Sequence, residues 1–153
     1  VIAIALESPL QPGLSGLMAR HTEAMHADTP PESIHMLDAA ELAAPEIAFF
    51  VMREDGRPIG MGALKRHDGG LAEIKSMHVL SQLRGRGLAR QMLDHLVAEA
   101  RAAGMRRVSL ETGAQESFAP ARKLYETAGF VTCPPFAAYR ADPMSAYMTL
   151  SLA

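Results

Sequence analysis

Only one cysteine, Cys133, occurs among the 153 residues. No disulfide can form within the chain, and this usage predicts a cytoplasmic protein. No apolar run approaches the roughly 20 residues that a membrane-spanning helix needs. The opening segment, Val1 to Leu6, has no basic stretch before it and is too short for a secretory leader. Neither sign of charge dominates: 15 Lys and Arg face 17 Asp and Glu, a net charge of −2. That balance argues against a general nucleic-acid binder, although Arg84, Arg86 and Arg90 form a local basic patch. Repeats and low-complexity linkers are also missing. What is present is ordinary globular composition, 48% hydrophobic and 21% charged. The length suits one domain with a real core, spanning residues 1–153.

The hydrophobic pattern orders the elements. Val1 to Leu6 reads as a short strand, and Leu14, Leu17, Met18, His21 and Met25 recur at helical spacing from about Gln11 to Ala27. Pro30-Pro31 ends any helix, and Asp38 can cap a short one through Leu42. Strands follow at Ile47 to Arg53, Ile59 to Lys65 and Leu71 to Val79, separated by turns at Glu54 to Arg57 and Asp68 to Gly70. They predict an antiparallel meander. Leu88, Met92, Leu93, Leu96, Val97 and Ala100 mark a helix from Gly87 to Ala103, stopped by Gly104. Arg107 to Glu111 is a strand, Phe118 to Ala128 a helix closed by Gly129, and Tyr147 to Leu152 the last strand. The predicted order is β-α-α-β-β-β-α-β-α-β-β: mixed α/β, with a crossover helix after the meander.

Between the strand ending at Val79 and the helix beginning near Gly87 lies Gln82-Leu83-Arg84-Gly85-Arg86-Gly87-Leu88-Ala89. Glycines let backbone approach a ligand closely. The helix start then offers unpaired N–H groups and a positive dipole end. Together with Arg84 and Arg86 this makes a pyrophosphate cradle. A P-loop is excluded, because Leu88 and Ala89 stand where Lys and Ser or Thr are required. A dinucleotide fingerprint is excluded too, because Arg90 stands where a third small residue belongs.

What remains is Gln/Arg-x-x-Gly-x-Gly/Ala, met by Gln82, Gly85 and Gly87, and it resembles the coenzyme A loop of the GCN5-related N-acetyltransferases (GNAT). A second segment, Ala121-Arg122-Lys123-Leu124-Tyr125-Glu126-Thr127-Ala128-Gly129-Phe130, resembles that family's Ala-x-x-Leu-Tyr-x-x-x-Gly-Phe. The two occur in the family's order with a strand between them, and cover roughly residues 71–131. Pro30 to Ser33, Ser109 to Gly113 and Ala141 to Pro143 further resemble a bacterial subgroup of mostly uncharacterised acetyltransferases. One departure is that Ser117-Phe118-Ala119-Pro120 stands where the family often has an Asn before the second helix.

The resemblance implies a GNAT-like mixed sheet, an antiparallel meander followed by a βαβ-type coenzyme-binding half, with helices on both faces. It also implies an acetyl-CoA-dependent N-acetyltransferase acting by direct attack in a ternary complex. Residues Gln82, Leu83, Arg84, Gly85, Arg86, Gly87, Leu88 and Ala89 would bind pyrophosphate through backbone N–H groups. Met77, His78 and Val79, at the end of a strand that splays from its neighbour, would hold pantetheine and polarise the acetyl carbonyl, and Leu124 would also contact the coenzyme. Tyr125 is the expected general acid, since a phenol of pKa about 10 can protonate a departing thiolate. Glu73 is the expected base. His78, on the opposite face by strand alternation, Glu111 and water are the alternatives.

For the acceptor, a small-molecule amine is expected, with polar contacts from His26, Glu32, Ser33 and His35. A hydroxyl or peptide acceptor, or a non-catalytic acyl-CoA sensor, is the competing reading. His21 falls on the apolar stripe as a core residue, Cys133 reads as a small apolar residue, and no metal is expected. Dimers are common in the resembled family, and an exposed last strand could pair across subunits to form a homodimer.

Overall fold

A computed structural model describes residues 1–152. Seven strands form one open mixed sheet in the order β1-β2-β3-β4-β5-β7-β6. The meander consists of β1 (Ile2–Leu6), β2 (Ile47–Glu54), β3 (Arg57–Arg66) and β4 (Leu71–Val79), each antiparallel to the next. The β2–β3 turn has positive φ at both Asp55 and Gly56, the twist that a two-residue hairpin favours. α3 (Leu88–Ala102) then crosses over so that β5 (Arg107–Gly113) lies parallel to β4. After α4 (Ala119–Thr127), the two-residue β6 (Val131–Thr132) and β7 (Ser145–Ser151) complete the sheet. The second of the two strands expected after α4 is therefore β7, and β6 is too short to show a period.

β7 lies between β5 and the two-residue β6, which pairs with Thr149 and Met148, so the last strand is partly covered and is not the free edge expected. The edges are β1 and β6.

α1 (Ser15–Asp28) starts later than its periodicity suggests, because Pro12 to Leu14 form a separate 3₁₀ turn. α2 (Ala39–Leu42) begins with a full capping box, in which Asp38 accepts from the Glu41 N–H and Glu41 accepts from the Asp38 N–H. α3 buries Leu88, Met92, Leu93, Leu96 and Ala100. Each such leucine contributes about 1.5–3 kcal/mol of burial. Gly62 on β3 has no side chain where Met92 and Leu96 approach, which seats α3 close to the sheet. His78 shares the opposite face of β3–β4 and meets His21 of α1, so helices cover both faces.

Candidate active site

The site arises where β4 and β5 part. Their parallel pairing runs from Leu71–Arg107 to Ile74–Leu110 and stops there, while β4 continues to Val79 and β5 to Gly113. Backbone groups on the β5 side of β4 beyond Ile74 thus lack a strand partner, as the splayed strand end requires. A second irregularity aims the strand. Ala63 faces Lys75 and Met61 faces His78, so Ser76 and Met77 together oppose Gly62. Ser76 takes φ of 54°, marking a β-bulge. The extra residue resets the alternation. Lys65 faces Glu73, Ala63 faces Lys75 and Met61 faces His78, which puts Glu73 and His78 on the same face. The opposite-face expectation for His78 fails for that reason.

Along the splayed end runs a groove of about 590 Å³. Met77, His78, Val79, Leu83, Arg84, Gly85, Gly87, Leu88, Ala89 and Leu124 all line it. Gly85 and Gly87 have φ of 84° and 76°, and space is open where a Cβ would stand. Gly87 caps α3 from a left-handed conformation, leaving the first-turn N–H groups directed outward. Two expected residues are not among the lining. Arg86 turns to Glu54 at the end of β2, in an ion pair of 2.5 Å, and Gln82 is exposed outside the groove. Arg90, one turn into α3, lines the groove instead, as do Phe118, Pro120 and Ala121 at the start of α4. Ser117 lines the groove as well, so the segment that lacks the family's frequent Asn presents a hydroxyl residue and a ring there.

Where the groove ends, a smaller chamber of about 140 Å³ opens between the parted strands. Tyr125 lines both. It is buried, and no hydrogen bond to its hydroxyl occurs among the described residues. Burial and the nearby Glu111 charge push its pKa up to about 12, so the phenol stays protonated across the physiological range. Glu111 lines the same chamber, with Ser145 Oγ donating to it at 2.8 Å. Burial raises its pKa to about 7 against the opposing effects of Ser145 and Lys75.

Glu73 borders this chamber too and is only 2% exposed, not the solvent-facing strand residue that alternation allows. Both its oxygens are engaged: His67 Nε2 lies 2.8 Å from one, and the other accepts from the Tyr139 hydroxyl at 2.5 Å and Lys75 Nζ at 3.4 Å. Lys75 also donates to the His35 carbonyl at 3.0 Å and to Tyr139 Oη at 2.8 Å. Tyr139 is held neutral by burial first and then by the Glu73 charge. His67, Lys75 and Tyr139 escaped sequence reading. Tyr139 lies in an irregular segment without periodicity, and a lysine two residues from a glutamate on a strand looks like a surface pair.

His21 is half-buried and lines the chamber and the groove instead of sitting in the core. Burial, with the neighbouring His78, lowers its pKa to about 4. His78 is lowered as well, by burial and then by Arg84 and Arg20, and its Nε2 has no partner among the described residues.

Behind Glu73 a third cavity, about 530 Å³, is lined by Glu32, His35, Met36, Lys65 and the 137–142 loop. Of the expected acceptor residues, Glu32 and His35 are here. Ser33 is buried and His26 is exposed on α1, and neither lines it. Cys133 lies elsewhere, in a separate cavity beside Arg107, with its thiol pKa raised by burial. Among the described residues no group of three or more His, Cys, Asp or Glu side chains is placed to hold a metal, and no helix is long and apolar enough to cross a membrane.

Comparison with known proteins agrees with this geometry. The model of the acetyltransferase (GNAT) family matches residues 16–130. The uncharacterised N-acetyltransferase YsnE of Bacillus subtilis is 46% identical over 136 residues, 89% of this chain and 90% of its own length. The IAA acetyltransferase of Azospirillum brasilense is 38% identical, covering 96% and 95%. A crystal structure described as an acyl-CoA N-acyltransferase from Klebsiella pneumoniae superposes with a TM-score of 0.82 at 26% identity, over 100% of this chain and 99% of that one. The chain belongs to the GNAT family. It is an acetyl-CoA-dependent acyltransferase.

Proposed function

We propose that the chain transfers acetyl from acetyl-CoA to a small-molecule amine by direct attack within a ternary complex. The observation that carries this reading is the position of Tyr125. Its ring borders both the coenzyme groove and the inner chamber, and its hydroxyl has no hydrogen-bond partner among the described residues. The pyrophosphate would rest on the α3 N-terminus and the Gly85–Gly87 backbone, beside Arg84. Pantetheine would follow Met77 to Val79, placing the thioester at the chamber mouth.

The amine nitrogen attacks the thioester carbonyl there, and a C–N bond forms. Unpaired backbone donors of the β4 end stabilise the oxyanion. The nitrogen gives one proton to a carboxylate, Glu73 or Glu111. The C–S bond breaks, and the sulfur takes one proton from Tyr125. Of the two carboxylates, Glu111 is favoured as acceptor of the proton, because Glu73 is already engaged by three donors. On this reading Glu73 holds Lys75 and Tyr139 in place at the chamber wall.

Calorimetric titration with acetyl-CoA, followed by a thiol-release screen over amines, tests the proposal. Micromolar binding with amine-dependent thiol release is expected. Binding without release from any amine would favour an acyl-CoA sensor. No binding by folded protein would return the loop to an ordinary glycine turn.

A further inference from the structure

The outer cavity holds cations that lack partners among the described residues. Its carboxylates are Glu32, Glu73 and Asp142. Glu73 is committed to His67, Lys75 and Tyr139, and Asp142 accepts from the Met144 N–H at 2.8 Å. The cations behave differently. Lys75 is tied to Glu73, but Lys65 and Arg140 have no ion-pair or side-chain hydrogen-bond partner among the described residues. Lys65 is half-buried on β3 directly opposite Glu73, so its side chain leaves the sheet on the cavity face. Lys65 and Arg140 thus stand unpaired among the described residues, in a cavity whose three carboxylates and three Lys and Arg side chains balance in formal charge. A half-buried ammonium without a counter-ion loses part of its hydration, and a ligand anion restores what is lost. His35 adds a further vacancy for a polar ligand: it lines both the outer cavity and the inner chamber, and its Nε2 is buried without a partner.

We infer that the acceptor is an amine bearing a carboxylate, an amino acid in the simplest case, with its anion held by Lys65 and Arg140. His35, Met36, Glu73, Lys75 and Tyr139 line both the outer cavity and the inner chamber, so the two spaces adjoin along these residues. The carboxylate sits in the outer cavity and the amine enters the chamber beside Glu111 and Tyr125. The assignment rests on the acetyltransferase reading above and adds the substrate class.

A thiol-release assay over standard amino acids, their carboxamides and the matching decarboxylated amines tests it, run on the intact chain and on Lys65→Met, Arg140→Met and Lys65→Arg. The carboxylate form is expected to exceed its carboxamide by on the order of ten- to a hundredfold in kcat/KM, the range of a charge-assisted hydrogen bond. Lys65→Met and Arg140→Met should each raise KM for the carboxylate and shrink that preference, with little change in kcat. Lys65→Arg should restore most of it. The dissociation constant for acetyl-CoA, measured by calorimetry, should hold in all three variants, since neither residue lines the coenzyme groove. Equal rates for carboxylate and carboxamide would overturn the assignment, as would turnover of decarboxylated amines alone or silence from every amino acid while acetyl-CoA still binds. Loss of acetyl-CoA binding in the unaltered chain would instead overturn the coenzyme reading.

Discussion

At the residue scale the question is which carboxylate takes the proton, and two groups on one sheet face differ in what surrounds them. Glu73 is bound by three donors, whereas Glu111 has one, from Ser145, and is pushed up to about 7 by burial. A base works when deprotonated, so Glu111 predicts kcat/KM that falls as pH drops below about 7. Glu111→Gln should remove that limb and lower kcat/KM by about 10²–10⁴-fold. Glu73→Gln should keep the limb if Glu73 only positions its neighbours. A limb that survives Glu111→Gln and disappears in Glu73→Gln would reverse the two roles. Tyr125 is separable from both. Tyr125→Phe should lower kcat by roughly 10²-fold while leaving acetyl-CoA binding nearly intact, because the ring that packs against the groove remains. Unchanged turnover in a calorimetrically competent variant would remove Tyr125 as the acid.

At the element scale, the coenzyme groove is a strand end, a glycine turn and a helix start, all of which announce themselves locally. Gly87 sits at φ of 76° with open space around it, so Gly87→Ala introduces backbone strain without a clash. That strain costs about 1–2 kcal/mol, which lowers Tm by about 2–4 °C per kcal/mol in a chain of this size. Acetyl-CoA affinity should fall alongside, because the strained residue caps the N–H groups proposed above to hold the pyrophosphate. Stability and binding both unchanged would mean that the turn tolerates another conformation.

The same locality explains what could be read in advance. The α3 stripe, the meander turns, the Asp38 cap and the place of most of the glycine-loop residues along the groove follow from short-range spacing. The His78 face did not, because the Ser76 bulge resets alternation through a pairing with β3, which lies elsewhere in the chain. Arg86 left the groove because Glu54, 32 residues away in sequence, captures it. Tyr139 reached Glu73 from 66 residues away, out of a segment with no period to read. The position of β7 inside the sheet is likewise set by β6 folding over it, a two-residue strand below the length at which a pattern forms.

At the scale of the whole molecule, the groups lining the site oppose each other in the pH dependence of folding. Glu111 binds its proton more tightly in the folded chain, its pKa moving from 4.5 to about 7. Its stabilising contribution is therefore fully present below 4.5 and is lost as pH rises through about 7. His21 moves the other way, from 6.5 to about 4, so the fold favours its neutral ring. That contribution is fully present above 6.5 and is lost as pH falls through about 4. His78, also lowered, acts in the same sense as His21. Between about pH 4.5 and 6.5 the folded state holds an extra proton on Glu111 and lacks one on His21, so the two slopes offset. With His78 adding to the His21 side, urea midpoints of the ligand-free chain should accordingly rise gently with pH across this window. Glu111→Gln should leave a stability that rises with pH there, and His21→Leu should leave one that falls or flattens, since His78 still works against Glu111. The opposed shifts of the two variants are the discriminating feature: curves that move in the same direction would mean that the site does not bury these two groups in the forms described.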